Sequence, residues 1–233
     1  MKKILLFLLI SLVAKAQLSS KAEVVLVTVS PGKELHSAFG HTILWVNDPM
    51  NGIDRAYSYG TFDFKTENFY LKFLMGTLPY TISVHSMQDE FNYNAQYEKR
   101  GMIAQKLQLD SLQKNAIFQA LENNLLPENR EYAYKFFYDN CSTRIRDMIE
   151  RNAPGKYRWN QSPSLEGKSY RDWMNKYLAT NSWVTLGMNL ALGTPSNVKT
   201  TASQACYLPD NLAAATNLEI GRASCRERVS SPV

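Results

Sequence analysis

The sequence has little cysteine and none of the short patterns that mark common metal sites. Three of its 233 residues are Cys, and neither a Cys-x-x-Cys nor a His-Glu-x-x-His pattern occurs. Three cysteines are too few for a disulfide framework, and the missing patterns argue against a structural zinc site. The composition, with 45% hydrophobic and 20% charged residues, excludes disordered, collagen-like and coiled-coil proteins. We therefore predict a globular protein that uses no metal and no other cofactor.

The apolar run near the N-terminus is too short to span a membrane as a helix. It covers ten residues from Ile4 to Val13, follows Lys2 and Lys3, and precedes Ala14-Lys15-Ala16. A basic start, a short apolar stretch and a small-x-small motif are typical of a secretory signal peptide. We predict that residues 1–16 are removed when the protein is exported to the periplasm or cell envelope.

A real excess of positive charge is also missing. The formal charge is +5, but the last fifteen residues, 219–233, break from the preceding composition and resemble translated read-through of a sequencing-library adapter. Without this tail and residues 1–16, six Lys or Arg and two Glu are lost, and the charge falls to +1. No basic cluster interleaved with aromatic residues remains, so we expect no nucleic-acid partner. We predict that the tail is non-native and makes few contacts.

The first half of the chain predicts a β-sheet. Residues 41–46 alternate, which places His41 and Ile43 on one face and Thr42 and Leu44 on the other. Turn-forming residues at 47–52 then join this strand to the next as a hairpin. The predicted strands are Glu23–Ser30, His41–Val46, Arg55–Phe62, Thr81–Val84 and Met102–Leu109.

Helical patterns follow and alternate with the strands. The dipeptides Asp110-Ser111 and Asp139-Asn140 offer N-cap residues for the second and third predicted helices. The predicted helices are 66–75, 111–125, 141–151 and 170–178, and the Gly- and Pro-containing segment 187–195 is predicted to be a loop. This mixture predicts one α+β domain, with a core at 17–152 and a C-terminal extension of the same domain at 153–218.

Cys141 is the first residue of a predicted helix, where free N–H groups and the positive end of the dipole stabilise a thiolate. We expect its pKa to lie below that of a free thiol. A nucleophilic cysteine needs a base, and His41, which follows Gly40 at the start of a strand, is the candidate. Cys206 has no nearby helix start, so we expect an unreactive buried thiol. A buried structural cysteine and a structural histidine are the alternative interpretation of Cys141 and His41.

Several segments resemble the Lnb N-terminal periplasmic domain family, a domain of unknown function common in exported Bacteroidetes proteins. They are AFGHTILWV, AYSYGTFDF, RGMIAQKLQL, PENREYAYKFFYDNCSTRIRD and GMNLALGTPS, and the resemblance runs from about Lys21 to Leu212. A strand-borne His before a helix-capping Cys is also similar, more remotely, to circularly permuted papain-like cysteine hydrolases of the NlpC type. That similarity implies an antiparallel sheet with packed helices in a permuted papain-like architecture. It also implies hydrolysis or transfer of acyl groups at amides and esters through a thioester.

Papain-like sites use a polar residue that orients the histidine. If Val46 pairs near Ile53, Ser58 lies opposite His41 on the same face of the sheet. We predict Ser58 as this third catalytic residue, although a register slip of one residue would bring Tyr57 or Tyr59 there instead. The family that this sequence resembles more often has Asn at the position of this orienting residue. A Ser would orient the imidazole less firmly. We predict Tyr59 and Arg144 as substrate-binding residues, with Arg144 holding an anionic group.

The sequence thus favours an exported cysteine hydrolase or acyltransferase that acts on a cell-envelope peptide, glycan or lipid. One alternative is a non-catalytic envelope protein that binds such molecules on the same fold. Another is a mononuclear metal site built from His36, His41 and Cys141. The family resemblance also leaves membrane association through a missing C-terminal region open.

Overall fold

The computed structural model describes residues 17–63, 65–68, 72, 76–157, 159, 162–178, 182–217 and 226–228. The predicted signal peptide lies outside these ranges. The described residues form an α+β structure around one antiparallel sheet, as predicted. Most of the predicted helix 66–75 also falls outside the described ranges.

The sheet contains seven described strands in the order β6-β4-β3-β2-β1-β5-β7, and every neighbouring pair is antiparallel. All five predicted strands are confirmed, with ends that differ by a few residues. The strands are β1 Glu23–Val29, β2 His41–Asp48, β3 Ile53–Thr61, β4 Pro79–His85, β5 Met102–Lys106, β6 Glu131–Ala133 and β7 Arg226–Arg228.

Seven α-helices accompany these strands within the described residues. Asp110 caps α2 as predicted, because its carboxylate accepts the N–H of Gln113 at 2.8 Å. The helices are α1 Met87–Phe91, α2 Ser111–Leu125, α3 Cys141–Asn152, α4 Tyr170–Leu178, α5 Ser182–Leu192, α6 Ala202–Ala205 and α7 Pro209–Thr216. A π-helical segment, Asn92–Tyr97, continues α1, and single 3-10 turns span Leu35–Ser37, Pro163–Leu165 and Thr194–Asn197.

Alternation along the strands divides the sheet into two apolar faces. One face carries Leu44 and Tyr57 and packs against α2, α3 and α7 in the larger core. The opposite face carries Ile43 and Ala56 and packs against Met87 of α1. The first residues of β2 therefore contribute side chains to both faces of the sheet.

Two sequence predictions about the C-terminal part are wrong. Residues 187–195 were expected to be a loop, but α5 continues to Leu192 and a 3-10 turn follows. The tail was expected to lack regular contacts, but Arg226–Arg228 pair with Ile103–Gln105 of β5. The exposed edge of β5 offers backbone N–H and C=O groups to any extended segment, whatever its side chains. The remaining residues from 218 onward lie outside the described ranges.

Candidate active site

Cys141 is the first residue of α3, and a buried asparagine holds this end of the helix. The side chain of Asn140 accepts the N–H groups of Ser142 and Thr143 at 2.9 and 3.0 Å. Its amide group donates to the carbonyls of Phe136 and Tyr207 at 2.8 and 2.9 Å. The predicted cap is confirmed, and it fixes the thiol relative to both the preceding loop and the C-terminal segment.

His41 is the first residue of β2, and its position depends on the glycine before it. Gly40 has a φ of 81°, and a Cβ there would lie 2.8 Å from the carbonyl oxygen of Val29 and 3.5 Å from Pro209. A side chain at residue 40 would therefore push β2 away from β1. The glycine lets the chain enter the sheet with the imidazole close to its strand neighbours.

The predicted partner of His41 is in place. The Nε2 atom of His41 lies 2.7 Å from the Oγ atom of Ser58. The predicted register was wrong, because Val46 pairs with Arg55 and Ser58 pairs with Ile43. The error is a shift of two residues, which keeps every side chain on the same face, so Ser58 still meets His41 diagonally.

The thiol of Cys141 lies against the backbone of the residue that follows His41. The hydroxyl of Ser142 lies 3.8 Å from the sulfur, and the N–H group of Thr42 favours the thiolate and so acts to lower the pKa of the thiol. The Oγ1 atom of Thr42 is itself 2.8 Å from the Oγ atom of Ser142. The thiol and the imidazole therefore both lie at the start of β2.

The two side chains begin on different faces of the sheet. Thr42 faces α3, so alternation directs His41 to the face that carries Ile43 and Ala56. Between these two described residues there is no hydrogen bond. The predicted sulfur-to-nitrogen contact stays a prediction.

Burial keeps both groups neutral. It raises the pKa of the Cys141 thiol, while the N–H groups of Thr42 and Ser142 and the Ser142 hydroxyl oppose the rise. The expectation of a lowered thiol pKa is therefore wrong, because desolvation exceeds the effect of the helix terminus. Burial, with a smaller effect from Arg100, lowers the pKa of His41 to about 4. At neutral pH the imidazole is thus an unprotonated base.

Arg100 is a buried cation that sequence analysis did not single out. Its Nε donates to the carbonyl of Ser30 at 2.8 Å and its Nη1 to Asn94 at 3.3 Å, whereas its Nη2 has no protein partner in the described structure. Val29 of β1 pairs with both His41 and Met102, so His41 and Arg100 flank the same end of β1. No local motif marks this proximity, because it depends on the pairing of three distant strands.

The predicted substrate-binding residues, Tyr59 and Arg144, line a cavity of about 330 Å³ on the α3 face. The guanidinium of Arg144 lies 3.6 Å from the centre of the Tyr132 ring and donates to Asp139 at 2.6 and 2.9 Å. Asp139 therefore neutralises the charge that was expected to hold an anionic substrate. The cavity is lined by Tyr59, Asn124, Lys135, Tyr138, Asp139, Arg144, Asp147, Met148 and Arg151, which include neither catalytic candidate.

The metal alternative is not supported by the arrangement of the ligand residues. His36, His41 and Cys141 are all described, yet the described residues contain no group of three or more His, Cys, Asp or Glu that could hold a metal ion. His36 is exposed and instead contacts the ring of Phe62 edge-on, with the ring centres 6.5 Å apart. Cys141 and Cys206 are both free, and Cys206 is fully buried, as expected, with a pKa raised by burial to about 12.

The family profile described as the Lnb N-terminal periplasmic domain matches residues 14–176. The chain belongs to this family. The match includes His41, Ser58 and Cys141 but ends before α5. Membership makes this an exported, periplasmic domain. No curated protein and no solved structure matches the sequence. Among the described residues, no helix is both long and apolar enough to cross a membrane.

Proposed function

We propose that this domain is a cysteine hydrolase or acyltransferase that cleaves an amide or ester of a cell-envelope peptide, glycan or lipid. The observation that carries the proposal is that the start of β2 is shared by Cys141, whose neighbour Ser142 contacts Thr42 at 2.8 Å, and by His41, whose imidazole Ser58 holds at 2.7 Å. The order of His on a strand before Cys at a helix start is that of permuted papain-like enzymes of the NlpC type. We include that architecture in the proposal.

In the proposed reaction, His41 removes the proton from the Cys141 thiol while the sulfur attacks the substrate carbonyl carbon. The carbon–nitrogen or carbon–oxygen bond then breaks, and the leaving group takes the proton from the imidazolium. Water or another acceptor next gives a proton to His41 and attacks the thioester carbonyl carbon. The carbon–sulfur bond then breaks, the acylated acceptor leaves, and the imidazolium returns its proton to the sulfur. Ser58 orients the imidazole throughout.

The N–H groups of Cys141 and Thr42 are the proposed oxyanion donors. Both oppose the rise of the Cys141 thiol pKa, which favours a position close to the atom that attacks the carbonyl. A tetrahedral intermediate on that sulfur would place its oxygen near the same groups. We propose Tyr59 and Arg144 as a secondary substrate contact only, because their cavity excludes both His41 and Cys141.

The neutral thiol also favours a second candidate, a non-catalytic protein that binds envelope components. A raised thiol pKa and a polar cavity whose lining does not include Cys141 are what such a protein would show. The two candidates differ in whether the thiol accepts an acyl group. Incubation with a p-nitrophenyl acyl ester, followed by intact mass spectrometry, should find one acyl group on Cys141 for the enzyme.

The matched variants for this experiment are Cys141→Ala and Cys206→Ala. Acylation should vanish in the first variant and persist in the second, and His41→Ala should slow it by roughly a hundredfold or more, the usual contribution of a general base. An unmodified protein, or acylation that survives the loss of His41 unchanged, would favour the binding protein.

A further inference from the structure

Helix α5 presents three large apolar side chains to solvent, which we call its apolar stripe. Trp183, Leu186 and Leu190 are 82%, 49% and 73% exposed, and no residue of the helix is buried. Their spacing of three and four places them on one side of the helix, together with Gly187. Large apolar residues clustered in this way on a surface mark an interaction site rather than the scattered exposure of ordinary proteins.

The polar side chains of the same helix face inward. Thr185 donates to the carbonyl of Leu178 at 2.7 Å, and the amide of Asn189 donates to Asn175 at 3.0 Å. The guanidinium of Arg171 also binds the side-chain oxygen of Asn189. These bonds, together with Leu192, which packs against the larger core, attach one side of the helix to the domain. The side that carries Trp183, Leu186 and Leu190 is thereby directed to solvent.

The chain segments on either side of α5 carry more exposed lysines than exposed acidic residues. The helix has no charged residue, while Lys168, Lys176 and Lys199 on the adjoining segments are all exposed. Exposed acidic residues are fewer there, with Glu166 and Asp172 between residues 163 and 200. Tryptophan and leucine beside lysine are the side chains that bind the interface of an anionic bilayer.

We propose that α5 binds the surface of an anionic phospholipid membrane, with Trp183, Leu186 and Leu190 inserted among the acyl chains. The eleven residues of the helix extend about 16 Å, so the helix lies in the interface and does not cross the bilayer. A periplasmic domain is enclosed by membranes, which supply this surface. The proposed thiol chemistry does not involve the exposed side of α5. Membrane binding can therefore be tested independently of the proposed activity.

Co-sedimentation of the whole protein with vesicles tests the proposal. We expect binding to vesicles of phosphatidylethanolamine with phosphatidylglycerol, and weaker binding to phosphatidylcholine alone. The double variant Trp183→Ser and Leu190→Ser should lose at least about tenfold in apparent affinity, since two large side chains no longer enter the bilayer. Lys176→Gln with Lys199→Gln should remove the preference for the anionic lipid.

The control is Leu112→Ser, because Leu112 on α2 is also 82% exposed but lies on another helix. It should bind vesicles like the unaltered protein, and circular dichroism should show that every variant is folded. The proposal is overturned if the unaltered protein does not sediment with anionic vesicles, or if the double variant binds equally well. A dimer that the double variant abolishes, without vesicle binding, would identify a second copy as the occupant and also overturn it.

Discussion

The imidazole of His41 is held by Ser58 although the two residues do not pair across the sheet. Ser58 pairs with Ile43, and the 2.7 Å contact runs diagonally to the start of β2. Diagonal neighbours on one face of an antiparallel pair lie within reach of a long side chain such as histidine. The serine therefore fixes a ring that the end of the strand would otherwise leave to rotate.

Ser58→Ala should remove this restraint. In the proposed enzyme we expect the rate of acylation of Cys141 to fall by about tenfold, because the base samples other orientations. The free energy of unfolding should decrease by only about 1 kcal/mol, the usual net value of one such hydrogen bond. Stopped-flow acylation and urea unfolding measure the two effects.

Ser83→Ala is the matched control for that variant. Ser83 pairs with Ser58 across β3 and β4 but bonds to Thr61 rather than to His41. It should leave the acylation rate unchanged. Equal losses in both variants would mean that the effect arises from the sheet and not from the imidazole.

The reactivity of Cys141 should rise late in a pH titration. Since burial raises the pKa of the thiol, its alkylation by iodoacetamide should show an inflection above the value of about 8.5 for a free thiol. Cys206, with its pKa raised to about 12, should react still more slowly. An inflection below pH 8 would show that an ion pair with His41 already exists without substrate.

His41 should make stability depend on pH. Its pKa is lowered to about 4 in the folded protein, whereas an unfolded histidine titrates near pH 6.5. As the pH falls, the unfolded chain therefore binds a proton at His41 before the folded protein does. The stabilisation of the folded state by the neutral imidazole is thus fully present above pH 6.5 and is lost as the pH falls towards 4. It amounts to roughly 3 kcal/mol or less. His41→Gln should reduce the dependence of the unfolding free energy on pH in that window, as measured by urea unfolding at a series of pH values.

Asn140→Ala should be the more costly of two cap substitutions. It removes the cap of α3 and two buried bonds to Phe136 and Tyr207, so we expect a loss of roughly 2–4 kcal/mol. Asp110→Ala removes only an exposed cap of α2 and should cost about 1 kcal/mol. Chemical denaturation of both variants compares them directly, and equal losses would argue against the inferred role of the buried bonds.

The sequence predicts well those features that depend on local pattern and on the alternation of side chains between the two faces of a strand. Ser58 was identified despite a wrong register, because a shift of two residues preserves the face. Helix α5 was missed because its Gly187 and its uncharged residues offer no helix signal, and because its apolar stripe faces outward. The direction of the Cys141 pKa shift was also missed, since the amount of chain that covers a thiol depends on tertiary packing. Arg100 comes near His41 only through strand pairing.

Two contacts of the site reach beyond the stretch that defines the family. The amide of Asn140 donates to the carbonyl of Tyr207, and Pro209 lies against Gly40, whereas the family match ends at residue 176. A fragment cut at that boundary would remove Tyr207 and Pro209, and with them these contacts of Asn140 and Gly40, the residues that precede the proposed catalytic Cys141 and His41. The smallest autonomous unit of this protein is therefore longer than its family signature, and shortened versions should be chosen from the tertiary contacts instead.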